Sequence, residues 1–198
     1  MINFIKFIFS VLLAPLILAA ALSFQQHLSG YPLDYEDFFI WGVIGFLFIF
    51  LFVFQVWGVY ETGQRISESI FRFLSPIDRF AAYMFPVYLL VTFVLFYITV
   101  NFFNTNKLDH YFMFFIGFLF SMHTLMTAQD LQEMEKTPIK PNYLFLMSLI
   151  FLANVSVVIL LVDLVFHKYT FPEYLKETLD MARHFYELSF KKAMFFKG

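Results

Sequence analysis

The chain has 198 residues, 61% of them hydrophobic and only 14% charged, with a net charge of -2 and a mean hydropathy of +0.74. That balance excludes an ordinary water-soluble domain and makes the bilayer the solvent to reason from. Cysteine is absent, which rules out disulfides, thiolate nucleophiles and cysteine-ligated metal or iron–sulfur sites. With no basic run beyond Lys191-Lys192, nothing favours nucleic acid as a partner.

A helix needs about 20 apolar residues to cross the hydrocarbon core. Five runs are long enough: Phe4 to Phe24, Phe38 to Val59, Phe80 to Phe103, Tyr111 to Ala128 and Tyr143 to Phe166. The expected fold is all-α, a polytopic membrane bundle of about five transmembrane helices over residues 1–170, with an amphipathic C-terminal helix over residues 171–198. In the first run Lys6 precedes an apolar stretch ending in Ala19-Ala20-Ala21. That stretch is longer than the roughly 7–15 residues of a signal h-region, so a retained span is expected. Pro15 inside it predicts a kink that neighbouring helices can tolerate.

Short linkers carry their own punctuation: Ser29-Gly30-Tyr31-Pro32, Ser75-Pro76, Asn104-Thr105-Asn106, then Thr137-Pro138 and Lys140-Pro141-Asn142. Arg65, Arg72 and Arg79 mark the second linker, and Lys136 and Lys140 the fourth. The first has no basic residue and the third only Lys107. The positive-inside rule then puts the N-terminus and the even-numbered linkers in the cytoplasm, against the pull of a basic tail. Phenylalanine, at 32 residues, is expected to fill lipid-facing positions.

Beyond Phe171-Pro172, Tyr174, Leu175, Leu179, Ala182, Phe185 and Leu188 recur at helical spacing, with Lys176, Glu177, Asp180, Arg183, His184 and Glu187 between them. Pro172 suits a first helical turn. Phe195 and Phe196 beside Lys191, Lys192 and Lys197 point to a membrane interface, or else to packing on a partner subunit.

Polar groups in hydrocarbon are where chemistry is sought. The fourth run carries Ser121, His123, Thr124 and Thr127, then Gln129 and Asp130; His123, Thr127 and Asp130 share one helical face. In the fifth run Asn154 and Ser156 lie near mid-depth and Asp163 one turn before His167. Serine and threonine in spans ordinarily bond to their own or a neighbouring helix. As a zinc site this set is thin, since the ion takes about three or four N, O or S ligands. Asp163 and His167 are expected to form an interfacial pair or a helix-end interaction, and Asp109 and His110 to lie in a solvated loop.

Three segments carry a resemblance. Ala82-Tyr83-Met84-Phe85-Pro86-Val87-Tyr88 is similar to the Pro-Tyr-Phe-Phe-Pro-Leu-Tyr segment of a bacterial branch of the site-2-protease-type membrane metallopeptidases. Gly117 to Thr127 resembles that branch's Gly-Phe-x-x-Gly-Phe-His-x-x-x-Thr, and Phe151-Leu152-Ala153-Asn154 its Tyr-Leu-x-Asn. In that family His-Glu-x-x-His holds zinc upstream, with the glutamate activating water. Here the position reads Tyr60-Glu61-Thr62-Gly63-Gln64. Only the glutamate survives, and Gly63 weakens a helix by about 1 kcal/mol relative to Ala. Glu61 with Arg65 four residues on has the spacing of a surface ion pair.

The expectation is therefore a non-catalytic, peptidase-like membrane subunit or scaffold with no cofactor, contacting lipids and other membrane subunits in the bacterial inner membrane. Its candidate polar cluster is Tyr60, Glu61, Gln64, His123, Thr127, Asp130 and Asn154. Two alternatives stand beside it: a residual metallohydrolase using His123, Asp130 and Glu61, and a transporter or channel component using His123, Thr127, Asn154 and Asp163.

Overall fold

The computed structural model describes residues 2–31, 33–52, 56–75, 78–103, 108–135 and 140–195. Its elements are α1 (Ile2–Ser29), α2 (Leu33–Phe52), α3 (Val56–Phe71), α4 (Asp78–Met84), α5 (Val87–Phe103), α6 (Asp109–Met134), α7 (Pro141–Phe166) and α8 (Phe171–Phe195), with one 3-10 turn at Arg72–Leu74. Helices α1, α2, α6 and α7 are long and apolar enough to cross a membrane, and α5 is a shorter apolar helix. The chain is an all-α membrane protein. Pro32, Pro76, Asn104-Thr105-Asn106, Lys107, Lys136, Thr137-Pro138, Phe196 and Lys197 lie outside the described residues.

Two expected runs differ from the helices that form. The run from Phe38 to Val59 is shared between α2, which ends at Phe52, and α3, which starts at Val56. The run from Phe80 to Phe103 is divided at Phe85-Pro86 into α4 and α5. Proline has no N–H and its ring pushes the preceding residue out of the helical region. The chain turns there, with the Val87 amide donating to the Phe85 carbonyl at 2.9 Å. Helix α1, by contrast, continues through Pro15.

Contacts divide the chain into two compact units, Met1–Gly30 with Thr137–Gly198, and Tyr31–Lys136. Helix α8, set apart in the sequence at residue 171, shares its unit with α1 and α7.

In the first unit α1 and α7 run parallel and in register. Lys6 donates to Asn142 Oδ1 at 2.5 Å, the rings of Phe9 and Phe145 meet edge to face at 6.4 Å, and His27 Nε2 lies 3.7 Å from Asp163 Oδ1. Each pair is 136 residues apart in the chain. The polar contacts at the two ends are 21 residues apart on each helix, roughly 32 Å at 1.5 Å per residue, against about 30 Å for a hydrocarbon core. Helix α8 folds back along α1: the Tyr174 ring sits 6.2 Å from that of His27, and the Tyr186 hydroxyl donates to the Leu12 carbonyl. Its buried row is Tyr174, Thr178 and Ala182, whereas Leu175, Leu179 and Leu188 of the expected apolar face are exposed. Small side chains at 178 and 182 suit a close helix crossing better than leucines do.

In the second unit α2 and α6 are also parallel. Tyr35 donates to Asp109 Oδ2 at 3.0 Å at one end, and Phe46 meets Phe118 at 5.4 Å further along. Asp109 and His110 thus open α6 and engage α2, rather than lying in a solvated loop; His110 Nε2 is 3.8 Å from Asp34 Oδ2. An acid in a first helical turn complements the helix dipole. Midway, the backbones touch: a Cβ on Gly42 would collide with the Phe114 carbonyl and one on Gly117 with that of Phe39. Helix α5 returns antiparallel to α6, with the Phe96 ring tilted against that of Phe112 at 4.5 Å, and α4 reaches α6 through Tyr83. Helix α3 closes the core of Phe46, Tyr60, Met122 and Met126.

Gly117→Ala is expected to destabilise the protein by roughly 1–3 kcal/mol, because the new methyl meets backbone that cannot rotate away. Gly58 has nothing within 4 Å of its would-be Cβ, so Gly58→Ala should instead stabilise by about 0.5–1 kcal/mol. Unfolding titrations in mixed micelles measure both, and equal responses would refute the backbone contact.

Candidate functional site

The polar face of α6 meets α3 and the α4–α5 junction. Thr127, fully buried, and Tyr60 share a hydrogen bond of 3.1 Å, and Gln64 Nε2 donates to the Tyr60 hydroxyl at 2.9 Å. The Tyr60 hydroxyl thus links Gln64 of its own helix to Thr127 of α6. Burial pushes the Tyr60 phenol well above its ordinary value, so it serves as a neutral hydrogen-bonding group.

Tyr83 binds the rest of that face. Its carbonyl accepts from His123 Nε2 at 2.9 Å, and its hydroxyl donates to Asp130 Oδ2 at 2.7 Å. Only a protonated Nε2 can make the first bond, so this ring nitrogen has no lone pair to offer a metal. Tyr88 is the second clamp, since its hydroxyl donates to the Val59 carbonyl at 2.6 Å while its ring fills the space a Cβ on Gly63 would need. Gly63 therefore seats an aromatic ring from α5; the helix propensity lost there is exchanged for packing.

Glu61 stays apart from these residues. Its Oε1 accepts from Trp57 Nε1 at 2.7 Å and its Oε2 lies 3.5 Å from Arg65, both side chains being substantially exposed. The candidates thus sort into two bonded groups along α6, Tyr60 with Gln64 and Thr127, and His123 with Asp130 through Tyr83, an outward Glu61, and Asn154 on α7 in the other unit. Among the described residues no group of three His, Asp or Glu could hold a metal. The cavity beside Tyr60, Gln64, Tyr88 and His123 measures about 10 Å³, the space of a single water. A peptide does not fit there.

Asn154 is 0% exposed, and neither amide atom has a hydrogen-bond partner among the described residues. Ser156 bonds back to the Leu152 carbonyl at 2.8 Å, the ordinary habit of serine in a span. Asp163 takes its helix-end role in a specific form. Its carboxylate accepts from the Thr170 and Phe171 amides at 2.8 and 2.7 Å and from the Thr170 hydroxyl at 2.7 Å, capping α8 from the preceding helix. Its partner is His27, through the 3.7 Å contact and through Thr170, whose hydroxyl lies 3.1 Å from His27 Nε2. His167 instead ends α7 in the left-handed conformation, at φ 52°.

Sequence reasoning passed over Tyr83, Tyr88, His27 and Thr170 as bonding residues. For the two tyrosines a signal existed, because they flank the helix-breaking Pro86 inside the segment that carries the resemblance. No family model, curated protein or solved structure matches the chain.

A double-mutant cycle of Tyr83→Phe and Asp130→Asn should return a coupling of roughly 1–3 kcal/mol in stability. Additive losses would show that the pair contributes nothing of its own. Asp163→Ala should cost about 1–2 kcal/mol as a lost helix cap, and amide exchange at Thr170 and Phe171 should accelerate ahead of the middle of α8.

Proposed function

We propose that the chain is a non-catalytic integral membrane subunit, a scaffold with a metallopeptidase-like body whose zinc-ligand position has been rebuilt as a structural joint. The observation that carries this reading is the use of Tyr60, His123, Thr127 and Asp130 to bind helices to one another, with Gln64 holding the Tyr60 hydroxyl. A hydrolytic site needs a ligand set with free lone pairs and an open position for water. Here Glu61 pairs with Arg65 on the exposed side, apart from His123 and Asp130, whose Nε2 and Oδ2 are both engaged by Tyr83.

Five crossings fit the directions of the helices. Because α2 and α6 are parallel, the chain must return between them, and α5 is the apolar helix antiparallel to α6. Because α1 and α7 are parallel, an odd number of crossings lies between them, which α2, α5 and α6 supply. Helix α5, with 17 residues, spans about 25 Å, and local thinning of the bilayer accommodates such a shortfall. The basic linkers put the N-terminus in the cytoplasm, and the resemblance favours the bacterial inner membrane. The C-terminal helix is amphipathic in this reading, with one row against α1 and charges on the far side.

The test is gentle purification of the tagged full-length chain in lipid nanodiscs, with metal analysis and identification of co-purifying proteins. The expected outcome is a defined set of membrane partners and zinc far below stoichiometric, unaltered by His123→Ala. Stoichiometric zinc lost on His123→Ala would establish the residual hydrolase instead, and a solitary monomer would remove the scaffold reading.

A further inference from the structure

Helix α8 carries two opposite rows. Tyr174, Thr178 and Ala182 are buried in its own unit, whereas Glu173, Lys176, Asp180, Arg183, Glu187 and Lys191 recur every three or four residues and are all exposed. At about 100° per residue the charged row lies roughly 180° around the helix from the buried one. Along it acids and bases alternate strictly, beginning with an acid and ending with a base.

An alternating row that begins with one sign and ends with the other complements its own reverse. Laid antiparallel against a second copy, Glu173 faces Lys191, Lys176 faces Glu187 and Asp180 faces Arg183, each pairing occurring twice about a two-fold axis. A parallel copy in register would set like against like. An anionic lipid surface or a partner of single sign would meet as many repelling charges as attracting ones.

The position of α8 adds a second reason. It lies along α1 from His27 to Leu12, beside a segment long and apolar enough to cross a membrane. A row of charges at that depth cannot face hydrocarbon and needs either water or opposite charges. Within the helix, Arg183 and Glu187 already pair at 3.3 Å while both stay exposed. Such a pair contributes little and gives way readily to a partner across an interface.

We propose that the charged row of α8 is the contact through which two copies of this chain form an antiparallel, two-fold dimer. The inference names a partner for the tail of the assembly subunit described above, yet does not depend on the loss of a metal site. Closed two-fold symmetry follows from self-complementarity of a single patch.

The test uses two differently tagged full-length chains, co-expressed, extracted in mild detergent and captured through one tag. Wild-type chains are expected to capture each other. Asp180→Arg alone and Arg183→Asp alone should each lower capture by roughly tenfold or more, since each sets like charges opposite one another at the centre of the row. Mixing the Asp180→Arg chain with the Arg183→Asp chain should restore capture, because both central pairs are then opposite in sign. Carrying both changes in one chain should restore it as well, which separates a docking defect from misfolding. Single reversals that capture like wild type, or a complementary mixture that fails to recover, would overturn the proposal. A wild-type chain that stays monomeric while a different protein co-purifies would overturn self-pairing and leave the subunit reading standing.

Discussion

The second unit depends on the contact between α2 and α6, two parallel helices that approach until backbone touches backbone. Gly42 lies against the Phe114 carbonyl and Gly117 against that of Phe39. In hydrocarbon the hydrophobic effect gives no reason for helices to associate, so close packing of small residues and interhelical hydrogen bonds must do so. Having both helices point the same way forces a return between them. That return is α4 and α5, which brings Tyr83 and Tyr88 across the polar face of α6 and the end of α3.

Polarity inside both units serves the same end. Tyr83 joins His123 to Asp130 through two different atoms of one residue, its carbonyl and its hydroxyl. In the other unit Lys6 with Asn142 and His27 with Asp163 tie α1 to α7 at the two ends of a hydrocarbon-length stretch. Buried polar groups left unpaired are costly, so each pairing specifies one arrangement of helices over others. Asn154, with neither amide atom partnered among the described residues, and Gln64 Oε1 stand outside this rule.

Much of the fold was legible in the sequence because hydropathy is a local sum. The apolar runs became α1, α2, α5, α6 and α7, and the shared face of His123, Thr127 and Asp130 followed from periodicity alone. Errors arose where a nonlocal contact outweighed a local tendency. Gly63 reads as a weak helical residue until the ring of Tyr88 occupies its missing side chain. Asp109 and His110 read as a loop until Asp34 and Tyr35 meet them. On α8, Leu179 belongs to the apolar row by spacing yet is 63% exposed, while Thr178 is buried.

By itself the sequence determined the solvent, the helical class and the shared polar face of His123, Thr127 and Asp130, because each depends on residues near one another in the chain. Only the tertiary structure decided that α1 pairs with α7 and α2 with α6, and that Tyr60 and Thr127 join α3 to α6. Those contacts join residues 67 to 136 positions apart, and many pairings of equally apolar helices would bury the same surface. What selects among them is where a glycine lets backbone approach and where a tyrosine or carboxylate finds its partner, and that is a property of three-dimensional fit.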